Sequence, residues 1–469
     1  MTRFEDQIAD TVLETFDALP AKRKPRQRED GSREWVPLSG IVLSKGSNEL
    51  ACVSLGTGMK CLPRSKIPQA NGMVLHDCHA EILAIRSFNR FLIQECHDLV
   101  LAGEQSSRFV RRRRQSEIST TSFQPFAMNN DIRIHMFSSE APCGDASMEL
   151  TMSAQEDPTP WAVPPPATIP TDASLDQTLS SSAQALPGRA YFSQLGVVRR
   201  KPSRPDAPPT LSKSCSDKMA HMQSTSLLSS VASLLIHPSS AYLSTLVLPE
   251  SQYSATACTR AFSPSGRLKA LAGRQWEGGY AFQPFDVRTA TRDFIWSRRN
   301  PASVTASSIA PVTPAIGDGR SSSSSSIEST GPKYIASNLS AVHTSTPRDQ
   351  PPSKQLQETL INGVLQGRKI FDPRGASILC RKRMWRAVVD VLALATAAAA
   401  GAGTTGAISS SHPSGPSSNF DQAQYETYET LKSRNPLLES RRKVKADVRS
   451  ASGLPEWVRN DGDEDFRLD

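Results

Sequence analysis

Four low-complexity stretches interrupt this 469-residue chain and divide it into shorter segments of ordinary globular composition. They are rich in Pro, Ser, Thr, Ala or Gly, and they lie near residues 158–188, 301–330, 342–356 and 395–420. Segments of this kind cannot bury enough apolar surface to offset the entropy that is lost on ordering. We therefore expect disordered insertions in one domain, which is built from the segments between them.

The N-terminal part of the chain predicts a short region ahead of that domain. Apolar side chains recur at helical spacing among acidic ones in residues 4–19, which favours an amphipathic helix over a signal peptide. The basic stretch 21–28 follows this helix. We expect residues 1–39 to form the helix and a basic linker, and residues 40–469 to form the main domain with its insertions.

Segments of the main domain alternate between strand and helix patterns. Residues 41–53 predict a hairpin that turns near Gly46, residues 81–92 an amphipathic helix, and residues 132–136 a half-buried strand. The stretch 241–248 predicts a further strand. Helices that alternate with strands indicate an α/β fold, with a layered mixed sheet covered by helices and further helices toward the C-terminus.

Charge and cysteine content restrict the function classes. The net charge of +8 indicates an anionic partner, either nucleic acid or another polyphosphate. The eight cysteines show no framework spacing, so we expect reduced thiols, a few of which bind a metal. Apolar runs are too short to span a membrane, and no obligate protein partner is evident. These features are typical of a nuclear or cytoplasmic enzyme.

The stretch "LHDCHAEILAIRSF", residues 75–88, places metal-binding and acid–base side chains at the start of a predicted helix. His79 and Glu81 match the H-x-E half of the zinc deaminase signature. In that signature the histidine binds zinc, whereas the glutamate stays off the metal and transfers protons. We expect the neighbouring Cys78 to pack in the interior rather than bind the metal.

The second half of the signature, P-C-x-x-C, is incomplete in this chain. Pro142 and Cys143 are present, but Ala146 stands where the second cysteine belongs. A catalytic zinc ordinarily takes three protein ligands and a water molecule. Cys215 also precedes a helix-like run, and a helix N-terminus favours the thiolate form that binds metals. We therefore predict a zinc site at His79, Cys143 and Cys215.

This assignment carries a geometric requirement. Side chains two positions apart point to different sides of a regular helix, so His79 and Glu81 converge only if the helix begins between them. Zinc lowers the pKa of its bound water to about 7. Glu81 would take the proton as hydroxide attacks a ring carbon, and would return protons to the ring nitrogen and to the leaving ammonia. Either motif alone is a common coincidence, but the two in order favour a deaminase site.

Further blocks extend the similarity along the chain. These blocks are "GTGMKCL", "SEAPCGDAS", "KSCSDKMA", "LVLPESQYSATACTRAF", "INGVLQGRK", "RGASILC", "YETLKSRNPLLESRRKVK" and "LPEWV". With them, the sequence from about Gly40 to Trp457 resembles the eukaryotic tRNA-specific adenosine deaminases and the related mRNA-editing adenosine deaminases. The resemblance implies a cytidine-deaminase-like fold, conversion of adenosine to inosine, one zinc ion, and the same roles for His79, Cys143, Cys215 and Glu81.

The resemblance also implies a buried inositol hexakisphosphate. Asp77 and Lys218 would link the zinc site to this polyphosphate, and His76 would be a further outer contact. The chain departs from the mRNA editors at Ile85, where they have arginine, and at 221–222, where they have an Arg-Trp pair. The positions that match the family's inositol phosphate ligands are Arg86, Lys218, Arg381, Tyr428, Lys432, Arg442 and Trp457.

Several positions are candidate RNA contacts. Lys60 and Thr57 match the part of the family that lies close to the target nucleotide, and a cation there can meet the phosphate backbone. The basic runs 111–114 and 21–28 predict RNA-facing segments or nuclear localisation signals, although a solvated loop fits each of them equally well.

The expected substrate follows from the family and from the space before the catalytic region. About forty residues precede that region, too few for the double-stranded-RNA-binding domains of the mRNA editors. This favours a structured tRNA, and the resemblance implies the adenosine 3′-adjacent to the anticodon of alanine tRNA. Deamination of adenosine in other structured RNA, a cytidine deaminase, and an inactive zinc-stabilised RNA-binding protein are the alternatives.

Overall fold

The computed structural model describes residues 2–46, 49–103, 107–154, 186–187, 194–201, 207–298, 333–345, 356–402, 425–451, 454 and 457–468. The predicted insertion at 301–330 lies outside these residues, as does the one at 158–188 apart from 186–187. Among the described residues, no helix is both long enough and apolar enough to cross a membrane.

The α-helices are numbered here in chain order. They are α1 (Phe4–Asp17), α2 (Ala80–Ala102), α3 (Met148–Ser153), α4 (Cys215–Thr225), α5 (Ala255–Phe262), α6 (Arg381–Ala402), α7 (Tyr428–Arg434) and α8 (Glu439–Ala451). The strands of the central sheet, also in chain order, are β1 (Leu38–Lys45), β2 (Glu49–Thr57), β3 (Ile132–Ser138), β4 (Thr245–Pro249), β5 (Asp286–Ala290), β6 (Ser340–Thr344), β7 (Leu356–Ile361) and β8 (Val364–Leu365).

The remaining strands form two-stranded pairs outside the central sheet. They join Arg33–Trp35 to Tyr334–Ala336, Met59–Cys61 to Asp77–His79, Val110–Arg112 to Phe126–Met128, Leu186–Pro187 to Arg199–Arg200, and Gln275–Trp276 to Tyr280–Ala281.

The central sheet is mixed. Its strand order is β5-β4-β3-β1-β2-β6-β7-β8, with β3, β4 and β5 parallel to one another and the other neighbours antiparallel. The predicted hairpin is β1 and β2, which turn at Gly46. The sequence prediction of an α/β fold with a mixed sheet and covering helices is confirmed.

Both faces of the sheet are buried, because apolar side chains of one strand alternate between two cores. Ile41 and Leu43 face the larger core, which contains α2 and α6, whereas Val42 faces the smaller core against α1. Every second side chain of a strand lies on the same face. The result is that several helices cover one face of the sheet and α1 covers the other.

Helix α1 is part of this architecture, which differs from the expected boundary at residue 39. Val12 and Phe16 are fully buried against the sheet, and β1 already begins at Leu38. The approach is close at Gly40, where an added Cβ would lie 2.6 Å from the Val12 side chain. The apolar stripe that predicted the helix also fixes it to the main domain.

Two of the expected insertion boundaries also shift. Residues 342–344, assigned to an insertion from the sequence, lie in β6 and are buried. Residues 395–402 continue helix α6. The physical reason in the second case is composition, since alanine has the highest helix propensity and an Ala-rich run extends a helix that is already nucleated.

A close contact sets the position of the candidate site. The first turn of α2 lies directly on β2 at Gly56, where an added Cβ would come within 2.6 Å of the Leu83 Cβ and 2.8 Å of the Ala80 carbonyl oxygen. A larger residue would push the helix start away from the sheet. The helix start that carries His79 and Glu81 is thus fixed by backbone packing.

Candidate metal centre

Three potential metal ligands meet where chain segments pass into helices. His79 precedes α2 as its N-cap, Cys143 follows β3, and Cys215 is the first residue of α4. One ligand atom of each lies within 4.8 Å of the others. The Cys143 Sγ lies 3.7 Å from His79 Nδ1 and accepts a hydrogen bond from the Cys215 amide at 3.3 Å. The structure therefore brings together the three residues that were predicted from the sequence as metal ligands.

The turn that carries Cys143 is held against α4. The Ser216 hydroxyl donates to the Pro142 carbonyl at 2.9 Å and accepts from the Ala146 amide at 3.1 Å. Gly144 has a φ of 101°, and an added Cβ would lie 2.3 Å from the Ser214 Oγ. Position 144 therefore needs glycine. Ala146 is buried beneath the turn, and Cys215 supplies the second thiol of the group.

Charge on one of the two thiols is favoured. A hydrogen bond with Cys215, together with the nearby Lys201 and His79, holds the pKa of Cys143 well below its usual value. Burial and the negative charge on Cys143 raise the pKa of Cys215. A thiolate is the form of cysteine that binds a metal, so this pocket already favours one anionic ligand.

Glu81 lies in the first turn of α2 and is only 5% exposed. His79 has extended backbone angles (φ −70°, ψ 144°), so the helix begins between the two residues. This arrangement meets the geometric requirement for their convergence. Burial raises the pKa of Glu81, and the charge on Cys143 adds to that effect.

A second group could also hold a metal. Cys61, Asp77 and His79 likewise place one ligand atom each within 4.8 Å of one another. However, Asp77 Oδ1 accepts from the His79 amide at 3.0 Å, and the carboxylate pairs with two lysines. A carboxylate that is already compensated is a weaker candidate for a metal, so the group with Cys143 and Cys215 fits better.

The two lysines on Asp77 connect the candidate centre to the interior. Lys201 Nζ donates to the Asp77 carboxylate at 2.8 and 3.1 Å and to Cys215 Sγ at 3.2 Å, and it is only 5% exposed. Lys218 Nζ donates to the same carboxylate. Burial alone would raise the pKa of Asp77, but Lys201 and Lys218 hold it well below its usual value.

Sequence reasoning identified Lys218 but missed Lys201. Lys201 follows a short stretch of two arginines at the edge of an insertion, where no motif marks it. Its amide donates to the Ser212 carbonyl, which sets this segment beside the start of α4. The carboxylate partner lies 124 positions earlier in the chain, so no local pattern could have shown the pair.

The predicted polyphosphate ligands lie on five helices and on the C-terminal segment. Arg86 donates to the Leu379 carbonyl, and Arg381 donates to the Asp463 carbonyl at 2.7 Å. Burial lowers the pKa of Arg86, and the nearby Arg381 lowers it further. Arg442 donates to the Asn435 carbonyl at 2.7 Å, so its guanidinium also closes the end of α7.

Trp457 marks a second cluster of cations, which includes residues that sequence reasoning missed. Lys213 and Arg449 both lie 5.2 Å from its ring centroid, and the His221 ring stacks on it at 4.8 Å. Burial, then Lys218 and Arg449, lower the pKa of Lys213 to about 7. His221 is 7% exposed, and its Nε2 has no partner among the described residues. The cluster is rich in buried positive charge.

Lys445 joins this cluster to the predicted ligand Lys432. Its Nζ donates to the Ser230 hydroxyl at 3.2 Å. Burial lowers the pKa of Lys445 well below its usual value, and Arg441, Lys432 and Arg449 lower it further. Cations in such proximity destabilise one another unless an anion lies between them. The chemistry of this donor set therefore fits a polyanion.

Two carboxylates of the C-terminal segment meet the same region. Asp463 Oδ2 lies 2.7 Å from His76 Nε2 and 3.5 Å from Arg381. Glu464 pairs with Lys432. His76, predicted as an outer contact toward the polyphosphate, is thus bound to the C-terminal segment, and burial lowers its pKa.

The C-terminal segment also brings an aromatic ring to a predicted ligand. Phe466 stacks on Tyr428 with ring centroids 4.9 Å apart. Since Asp463 and Phe466 are both buried, this segment closes one side of the cation-rich region.

The candidate RNA contacts differ from one another. Lys60 is half-buried on the strand Met59–Cys61, where the preceding Met59 pairs with His79, so it lies beside the candidate centre. Thr57 is 1% exposed, and its hydroxyl accepts from the Ala341 amide at 2.8 Å. The Thr57 side chain thus joins β2 to β6, and its role as a substrate contact stays a prediction.

The basic run 111–114 has a largely structural role, which the predictions of an RNA-facing segment or a solvated loop did not anticipate. Arg111 forms two hydrogen bonds with Glu117, at 2.7 and 2.8 Å. Arg113 donates to the carbonyls of Ser122 and Gln124 at 2.9 and 2.8 Å. These guanidinium groups hold a loop in place.

Comparison with known proteins agrees with this geometry. A family model of the adenosine-deaminase (editase) domain matches residues 54–461. A tRNA-specific adenosine deaminase 1 from Schizosaccharomyces pombe is 41% identical over 305 residues, which cover 64% of this chain and 72% of that protein. One from Saccharomyces cerevisiae is 32% identical over 227 residues, or 48% and 53% of the two chains. The double-stranded RNA-specific editase Adar of Drosophila melanogaster is 29% identical over 268 residues, 53% of this chain and 34% of that protein.

The ligand set predicts a selective loss of zinc. We expect Cys143→Ala and Cys215→Ala to lower zinc affinity by more than the about 10–100-fold that changes in outer partners cause. Cys61→Ala and Cys78→Ala are matched controls, which should keep one zinc per chain. Metal content is measured by atomic emission after dialysis against a weak chelator. Loss of zinc in the Cys61 variant but not in the Cys215 variant would instead favour the group with Asp77.

Proposed function

Because the chain belongs to the adenosine-deaminase (editase) domain family, we propose that it hydrolyses adenosine to inosine in tRNA, at a zinc ion on His79, Cys143 and Cys215. The observation that carries this proposal is the convergence of these three ligand atoms beside a buried carboxylate, Glu81. The metal ligands and the catalytic role of Glu81 are part of the proposal.

In this mechanism the protein positions groups and moves protons. A bound zinc ion supplies Lewis acidity that makes water nucleophilic near neutral pH. Glu81 accepts the proton of the attacking water and then delivers protons to the ring nitrogen and to the leaving ammonia. Its burial favours this cycle, because the raised pKa makes a protonated carboxyl group accessible during the reaction. His79 and Cys215 at two helix starts, and Cys143 in the turn held against α4, would hold the zinc ion.

The proposed target is the adenosine 3′-adjacent to the anticodon of alanine tRNA. The relatives in both yeasts are named tRNA-specific adenosine deaminases, and the sequence resembles that branch of the family. A base must leave its stack to reach the zinc-activated water, which costs least in a single-stranded loop. An anticodon loop meets that condition.

We further propose that inositol hexakisphosphate binds the cation-rich region next to the metal centre. Arg86, Lys218, Arg381 and Lys432 would hold its phosphates, with Lys213, Lys445 and Arg449 as additional cations. The buried positive charge around Trp457 supports this assignment, as does the Nε2 of His221, which has no partner in the part of the chain that the structure describes. The Asp77 carboxylate pairs with Lys218 of that region and with Lys201, which donates to Cys215 Sγ. Asp77 therefore lies between the cation-rich region and Cys215.

Glu81→Gln tests the proposed reaction. The amide keeps the volume of the side chain but cannot accept the proton, so we expect undiminished zinc content and a deamination rate reduced by at least about 10²–10⁴-fold. Purified protein is incubated with transcribed alanine tRNA, and inosine is detected by sequencing, in which it reads as guanosine.

The wild-type protein and a Glu14→Gln variant, which changes an exposed carboxylate on α1, serve as controls. Loss of zinc in Glu81→Gln would show that the ligand and proton-transfer roles are misassigned. Inosine in other structured RNA but not in alanine tRNA would contradict the proposed substrate, and stoichiometric zinc with no turnover on any RNA would favour the inactive protein.

The polyphosphate proposal is tested without turnover. Purified protein is denatured in acid and its inositol phosphates are separated by ion chromatography, with about one inositol hexakisphosphate per chain expected. Lys445→Gln should weaken binding about ten-fold or more, because a hydrogen bond to a charged group is worth about 1.5–3 kcal/mol. Lys443→Gln on the exposed face of α8 is the matched control. Wild-type protein that releases no inositol phosphate would contradict the proposal.

A further inference from the structure

We propose that the N-terminal basic segment and Trp296 form a docking surface for the phosphate backbone of tRNA beside the metal centre. This inference rests on the proposed function, since it names where the body of the same substrate is held. It concerns Lys22, Arg26 and Trp296, none of which touches the candidate metal ligands.

The surface is a groove of about 530 Å³ at the end of helix α1. It is lined by the buried Pro25 and by the half-buried Trp296. Lys22, Lys24 and Arg26 also line it. A concave surface with several cations and an aromatic ring is typical of proteins that follow a nucleic acid backbone.

The cations of this segment divide into structural and available ones. Lys24 donates to the Asp17 carbonyl at 2.6 Å and so caps the end of α1, and Arg28 pairs with Glu34 at 3.1 Å. Lys22 and Arg26 are exposed, and neither forms a salt bridge with a carboxylate among the described residues. These two side chains are therefore available to phosphates in solution.

Further positive charge lies next to the Trp296 ring. The Arg33 guanidinium lies 4.7 Å from the Trp296 ring centroid and donates to the Ile295 carbonyl at 2.6 Å. Nearby, the Arg298 guanidinium lies 5.8 Å from the ring centroid of Trp35, which is on the same strand as Arg33. Guanidinium groups stacked on aromatic rings keep their outer N–H donors free for phosphate oxygens.

A short path of backbone contacts joins the groove to the metal centre. The Val36 amide donates to the Trp296 carbonyl at 3.0 Å. The carbonyl of the next residue, Pro37, accepts from the Gly58 amide at 3.2 Å. Met59 follows Gly58 and pairs directly with His79. These contacts connect the groove to the strand that pairs with His79, and in our proposal the stem next to a flipped adenosine passes along them.

The segment is folded rather than extended, which favours RNA over a nuclear import receptor as the partner. Its backbone turns back on itself, with the Arg28 amide donating to the Ser32 carbonyl at 2.8 Å and the Glu34 amide donating to the Arg26 carbonyl at 2.9 Å. Lys22 and Arg26 are therefore presented from a fixed surface. Contacts of this kind position a nucleic acid without reading its sequence.

The test is a salt-dependent binding titration that needs no turnover. The wild-type protein, Lys22→Gln/Arg26→Gln, and the control Arg133→Gln/Lys269→Gln are titrated with transcribed alanine tRNA from about 50 to about 200 mM salt. The control removes the same charge from exposed positions elsewhere. We expect Lys22→Gln/Arg26→Gln to bind tRNA about ten-fold more weakly than the wild type. The slope of the logarithm of the association constant against the logarithm of the salt concentration should be smaller in magnitude by about 2, which is about 1 for each lost phosphate contact. The control should match the wild type, and melting temperatures should be equal throughout.

Equal affinities and slopes in all three proteins would overturn the proposal, as would an equal loss in both variants, since net charge alone would then explain it. Unchanged tRNA binding with lost binding to a nuclear import receptor would overturn it in favour of a localisation signal. If the wild-type protein makes no inosine, the proposed function fails, and the titration still decides whether this groove binds tRNA.

Discussion

A buried carboxylate holds the candidate site together. Asp77 is 3% exposed and forms ion pairs with Lys201 and Lys218. One of its carboxylate oxygens accepts a hydrogen bond from the His79 amide. Lys201 in turn donates to Cys215 Sγ at 3.2 Å. Removing one partner of such a buried pair costs about 3–5 kcal/mol, because the other charge remains without compensation. The orientation of two proposed metal ligands therefore depends on Asp77 and on its ion pair with Lys201.

The surroundings of the Asp77 carboxylate differ on its two sides. On one side lie the thiols and Glu81, where a metal would be held. On the other side, Lys218 belongs to the cation-rich region around Trp457, where Lys213 and Arg449 face the same ring. The two regions are thus neighbours through a single carboxylate, and an anion bound on one side would bear on the electrostatics of the other.

Much of the fold was predictable from local pattern. The hairpin of β1 and β2, the strand β3 and the helix that begins after His79 each follow from periodicity and from the residues at their ends. The meeting of the two candidate ligand cysteines was predictable because each precedes a helix-like run. Lys201 and Lys213 were not, since their partners come from distant parts of the chain, and the burial of Thr57 depends on β6, which lies far along the sequence. Tertiary packing also joined α1 to the main domain, which the charge pattern of the linker had not indicated.

The most direct measurement of the central claim, that Asp77 couples the metal ligands to the cation-rich region, is the content of zinc and of inositol hexakisphosphate in purified Asp77→Asn protein. The substitution keeps the shape of the side chain and leaves both lysines without their counter-charge. We expect zinc and inositol hexakisphosphate to be lost together, with a lowered melting temperature. Full retention of both, at an unchanged melting temperature, would contradict it.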